Sequence, residues 1–242
     1  MSGSIGTSDY DSLQVQLLRR AKAGLTSMAA YTLAKAMGDT DGGNFGGAYR
    51  ANQVQDIFDL DAARSIQSFD VRHRLSVSLQ YDLPWFDADT GLAHHLLGGW
   101  HVNAIFTAQT GSGNGVLYGS DTTNTGVGSW PDMIADPVLP GSERSVQRWF
   151  NTTAFVRPPP GRFGNSPRLT FHNPGFNNVD LMVGKRVALR KGMNAEFRGE
   201  FFNLLNHTNF RNVDNRLTSP GFGTITSAAD ARIIQLGVKF SF

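Results

Sequence analysis

Histidines and closely spaced carboxylates are the residues of this chain best suited to chemistry, so their spacing comes first. Of six histidines, His94 and His95 are adjacent, and neighbours on an extended chain point apart. His73, His101, His172 and His207 stand in separate segments, so no spacing gathers the ligands of one ion and no metal site is expected. The run "GDTDGGNFGG" (Gly38 to Gly47) sets Asp39 and Asp41 among glycines, as calcium loops do. It lacks the later bidentate Glu and reads as an ordinary loop. "GSGNG" (Gly111 to Gly115) has the glycines of a phosphate cradle, but no helical pattern follows it. It reads as the exit from a strand. Glu196, Arg198 and Glu200 alternate, which puts all three on one face of a strand. An ion-pair ladder fits that spacing better than an acid–base pair. No nucleophile-elbow motif occurs. The expectation is a protein that is not an enzyme and takes no cofactor.

The elements that hold these residues have a clear period. Seven segments alternate apolar and polar side chains, where helical periodicity fits less well. They are Ser12 to Ala21, Leu25 to Lys35, His73 to Leu83, Trp100 to Thr110, Val179 to Leu189, Asn194 to Asn206, and Ile233 to Phe242. The third is the cleanest, with Leu75, Val77, Leu79, Tyr81 and Leu83 against Arg74, Ser76, Ser78, Gln80 and Asp82. Their connections fall into two classes. "KAG", "RKG" and the longer "PWFDADTGLAHHLLGG" join one set of ends. The stretches at about 36–72, 111–178 and 207–232 join the other, and are rich in Gly, Asn, Thr, Pro and Asp. In an antiparallel meander, alternate connections lie at opposite ends. One end therefore has mainly tight turns, and the other has long loops of the sort that are usually functional or mobile.

Composition agrees with an all-β membrane barrel. There are 27 glycines, 17 phenylalanines and no cysteine, so disulfides and thiolate metal sites are excluded. A net charge of +2 gives no field that would draw nucleic acid. No apolar run is long enough for a membrane-spanning helix, and residues 1–20 hold no signal-peptide stretch. Segments of about ten residues with short turns at one end and long loops at the other match tilted crossings of the bacterial outer membrane. Tyr31, Tyr81, Trp100, Phe106, Phe201 and Phe242 fall near strand ends, where aromatic girdles lie. In such a wall one face meets lipid and the other the lumen. The lumen-facing set would be Arg74, Ser76, Gln80, Asn103, Gln109, Asp180, Arg186, Glu196, Arg198 and Glu200. In the longest loop, Trp130, Trp149, Phe150 and Phe155 are candidates for ligand contact, or else pack the loop onto itself.

The chain resembles TonB-dependent outer-membrane receptors, in particular the large type with an N-terminal carboxypeptidase-regulatory-like domain. The resemblance rests on stretches met in order along nearly the whole chain: "YDSLQVQLLRR", "SFDVRHRLSVSLQYDLP", "GGWHVNAIFTAQTG", "WFNTTAF", "GRFGNSPR", "NPGFNNVDLMVGKR", "AEFRGEFFNLLNHTNF" and "FGTITSAADARIIQLGVKFSF". No single stretch is diagnostic; their ordered co-occurrence carries it. It implies a barrel of about 22 antiparallel strands around a plug, with uptake energised by the TonB complex. Seven strands would then be the C-terminal piece, with plug, TonB-contacting segment and export signal expected outside these 242 residues. The resemblance also implies that the closing strand is read by the barrel-assembly machinery through Phe242, Phe240, Val238, Leu236 and Ile234. Outer-membrane lipid, that machinery and TonB are the implied partners. The substrate would be a small molecule, saccharide or peptide. A passive pore or adhesion barrel is the alternative, separated by whether a plug lies upstream. A soluble carbohydrate-binding β-sandwich also alternates, but gives no reason for the loop asymmetry or the terminal Phe. Stability in plain buffer would favour it.

Overall fold

The computed structural model describes residues 6–21, 24–40, 54–85, 91–126, 128–189 and 192–242. Seven long strands form it: β1 (Ser8–Arg20), β2 (Leu25–Gly38), β3 (His73–Asp82), β4 (Trp100–Gln109), β5 (Phe176–Ala188), β6 (Asn194–Phe202) and β7 (Ile233–Ser241). Each pairs antiparallel with the next, so the order in the sheet is the order in the chain. This is the all-β meander the alternation predicts. β1 and β7 do not pair with each other; among the described residues the sheet is open, with a free edge on each.

The expected segments and the observed strands agree to within a few residues, and the differences have causes. β2 runs three residues past Lys35, paired with β1 as far as Ser8↔Gly38. β5 starts at Phe176 because Gln109 at the end of β4 is there to pair with it. β6 stops at Phe202, short of Asn206. Asn203 takes a positive φ of 52°, and its side-chain amide turns to the carbonyls of His207 and Asp230. At the turn end, Gly24 and Gly192 have φ of 78° and 79°, the left-handed backbone that closes a tight hairpin at little cost. Lys22, Ala23, Arg190 and Lys191 lie outside the described residues, as does Asp41 of the glycine-rich run. The third turn-end connection holds a single turn of helix, α1 (Leu92–Leu97). His94 and His95 are therefore helical neighbours, not residues of an extended chain, and their rings meet edge to face 5.7 Å apart.

Two-residue periodicity gives the sheet two unlike faces. Directly paired residues point the same way. The register therefore puts Leu75, Val77, Leu79, Val102, Ala104, Phe106, Val179, Leu181, Val183, Phe197, Phe201, Leu236 and Val238 on one side. Tyr31, Tyr81 and Trp100 share that face. The other face is mainly polar. Among the described residues no second layer covers the strands: the hydrophobic core cluster takes no residue from any of the seven.

The core sits instead at the loop end, where the sequence suggests only irregular chain. Val116, Phe150, Ala154, Phe155, Phe171 and Val213 are buried together, with Met133, Trp149, Leu217, Phe222 and Ile225 packed against them. Phe150 is 1% exposed; it stacks on Phe171 at 4.3 Å between centroids and meets Phe222 edge-on at 5.2 Å. Short ladders brace the longest loop, Asp132–Met133 against Phe155–Val156 and Gly113–Asn114 against Phe171–His172. "GSGNG" thus leaves β4 as a short strand, with no helix after it. Side chains tie the three loops into one body. Buried Arg168 donates to the carbonyls of Gly38 and Ala63. Gln55 donates to Gly164 at 2.7 Å and accepts from the Trp130 amide at 3.0 Å. Asn215 donates to the Gly115 carbonyl at 2.6 Å. These bonds matter because a buried backbone carbonyl left unpaired costs about 1–3 kcal/mol.

Candidate functional site

Two places bring polar groups together. The first is the polar face of the sheet. Arg74, Gln80, Asn103, Asp180, Arg186, Glu196, Arg198 and Glu200 all lie on it, and so do Ser76 and Gln109. The register runs Thr26↔Gln80↔Asn103↔Met182↔Glu200 in one row and Arg186↔Glu196 in another. Alternation alone was enough to place them, because a strand has only two faces.

What alternation did not indicate is how they connect. His101 and Asp82, on the same face, complete the arrangement. Gly184 is directly opposite His101 on β5. A Cβ on Gly184 would sit 2.3 Å from the imidazole Nε2, so only glycine leaves room for the ring to lie across β5. The ring reaches Glu196 on β6, with Nε2 3.1 Å from Oε1, and is 2% exposed. Arg186 in turn donates to Asp82 on β3 at 3.2 Å. Arg198 and Glu200 approach to 3.7 Å. Asp82 and Glu200 are thus each set beside an arginine, Glu196 beside the His101 imidazole, and Asp180 is held by the Asn178 and Asn203 amides. Among the described residues, no three His, Asp or Glu side chains are placed to hold a metal ion.

Asp39 has a structural task as well. Its carboxylate accepts the Thr7 amide at 2.8 and 3.0 Å and the Thr7 hydroxyl at 2.8 Å, which clips the loop end of β1 to β2. Burial pushes this carboxyl up, but hydrogen bonds from Thr7, from its own backbone amide and from Thr40 together outweigh it and hold it below its ordinary value.

The second place is a cavity of about 520 Å³ where the loop body meets the ends of β3, β4 and β5. Arg72, His73, Gln109, Arg144, Trp149 and His172 give it polar groups, while Val138, Leu139, Phe150 and Phe171 form apolar wall. Trp149, one of the four loop aromatics, is fixed through its indole N–H to the His172 carbonyl at 2.8 Å. Arg144 donates to the Leu139 carbonyl at 2.9 Å, and its guanidinium lies 5.3 Å from the centre of the Trp149 ring. His172 is oriented by the buried Asp70 carboxylate, 3.2 Å from Nε2. Trp130 and Phe155 are buried inside the loop body. Phe150 borders the cavity from within the core. Arg72, Arg144 and His172 come from two different loops, and no local pattern in the sequence joins them.

The closing strand is exposed at every position but Gly237. Ile234, Leu236, Val238 and Phe240 stand exposed on the apolar face of the edge strand β7, and Phe242 follows, 95% exposed.

Comparison with known proteins matches this architecture. A family model described as an outer membrane beta barrel domain matches residues 1–235. No curated protein and no solved structure matches the chain.

Proposed function

Because this chain belongs to the outer membrane beta barrel domain family, with its place in the bacterial outer membrane, we propose that it forms part of the wall of a TonB-dependent receptor. Its role there is energised substrate uptake and not catalysis. The observation that carries this reading is the division of one sheet into an apolar face and a charged one. The apolar face suits lipid and the charged face suits a lumen. The open edges of β1 and β7 support it further, since a bilayer does not tolerate unpaired backbone at a sheet edge. Further strands would complete the wall to about 22. The turn end would face the periplasm and the loop body the outside. TonB would act through a plug, and the assembly machinery would read β7 through Phe242, Phe240, Val238, Leu236 and Ile234.

A passive pore is the second reading, and the polar face alone supports it equally. Conductance separates the two. The protein purified from its own outer membrane and placed in a planar bilayer should stay closed until denaturant loosens a plug. A steady open current without denaturant would overturn the receptor reading and leave the pore.

A further inference from the structure

We propose that the cavity under the loop body binds an organic anion, a single carboxylate carried on a ring, with Arg72 as the group that takes the charge. Three observations converge on this. First, the charge balance of the walls is one-sided: two arginines and two histidines line the space, and none of its lining residues is acidic. Second, Arg72 is an exposed residue whose backbone carbonyl accepts from Ala34, but its guanidinium has no hydrogen-bond or ion-pair partner among the described residues, whereas the other charged groups here are engaged. Arg144 is held by the Leu139 carbonyl and the Trp149 ring. The Asp70 carboxylate, which holds the lining residue His172, also accepts the Ala36 amide at 2.6 Å. A guanidinium presents paired N–H donors whose geometry matches a carboxylate, so a free one in a cavity is a ready receptor for it. Third, Val138, Leu139, Trp149, Phe150 and Phe171 give the cavity an apolar, partly aromatic lining beside the charged groups. A flat ring can lie against it, and the volume of about 520 Å³ is in the range of small-molecule sites. The His172 ring adds selectivity: with Nε2–H given to Asp70, Nδ1 is left to accept from a ligand hydroxyl.

This inference rests on the uptake reading for its biological sense, but its test does not. Outer membranes carrying the protein are titrated at equilibrium, with no energy source, using radiolabelled glucuronate and benzoate. Glucose and benzyl alcohol are the neutral counterparts, and membranes without the protein are the blank. Saturable binding of either acid, with at least about tenfold weaker binding of its neutral counterpart, is expected. Which acid binds tells a sugar acid from an aromatic one. Arg72→Gln should weaken binding at least about tenfold and Arg72→Lys should recover part of it. Val138→Asp adds a carboxylate at a half-exposed position on the wall, away from the core, and should abolish binding while leaving the loop body folded. Absence of saturable binding, equal binding of acid and neutral compound, or indifference to Arg72→Gln and Val138→Asp would overturn the proposal. The conductance test of the receptor reading stands or falls separately.

Discussion

The sheet and the loop body are built from one chain by opposite rules. In the sheet, apolar side chains such as Leu79, Leu236 and Phe240 stand exposed on one face and the polar ones line the other. In the loop body, Phe150, Phe155 and Phe171 are inside. The difference shows what each region has for solvent. Lipid does for the outer face of the strands what packing does for a soluble core, so the sheet needs no second layer. The loops meet water, and must bury their own aromatics to stay folded. Loops of this length usually lack a core; here they hold nearly all of the one there is.

This contrast can be broken at either region. Under the assembly proposal, the largest effect belongs to the edge of the sheet. Deleting Phe242 should remove most of the protein from the outer membrane, while Ser241→Ala should leave its amount near wild type. Immunoblots of membrane fractions decide it, and equal losses at the two positions would count against β7 as an assembly signal. Next comes the loop core. Phe150→Ala should destabilise the loop body by about 3–5 kcal/mol, read as faster proteolysis of the loops in membranes with the strands still protected. If strands and loops are lost together, the two regions are not separate in stability. Third, Val77→Arg on the apolar face should cost about 2–4 kcal/mol in refolding into liposomes. Ser76→Arg, one residue along and on the polar face, should be close to neutral. Equal costs would mean the faces are assigned wrongly.

The two smaller effects sharpen the comparison within each region. Gly184→Val on the polar face would displace the His101 ring and should cost about 1–3 kcal/mol. A double change that also replaces His101 by Ala should recover part of it. At the loop end, Asp39→Asn should cost about 1 kcal/mol by loosening the Thr7 clip. The folded carboxyl titrates below its ordinary value. The clip is therefore fully present above that ordinary value and is lost as pH falls through the lowered one. Wild type should lose stability over that acidic window, and Asp39→Asn should show less of this loss.

Legibility in the sequence follows the same division. Strand positions and faces were readable because alternation is a local signal with only two phases. All nine charged or amide residues assigned to the lumen share the polar face, from Arg74 to Glu200. The His101–Glu196 tie was harder, since it depends on Gly184 of a third strand being empty. The loop body was not legible. Its bonds join residues more than a hundred positions apart, as between Arg168 and Gly38 or Gln55 and Gly164, and irregular chain offers no period to phase them. The loop aromatics were noticed as important, but their types alone do not tell a buried ring from an offered one. The cavity shares this limit, because Arg72 and Arg144 meet only once both loops have folded.

The His101 bridge has a mechanical consequence. Strands in a sheet slide past one another most readily when only neighbours are linked. His101 fastens β4 to β6 over the top of β5, and Arg186 fastens β5 to β3 over the top of β4. The two fastenings overlap, like laths nailed across planks. Shearing any one of these four strands along its axis would strain at least one of them. A one-residue slip would also throw His101 to the wrong face. This part of the sheet should therefore behave as a stiff plate, and bending should concentrate beyond it, toward β1 and β7.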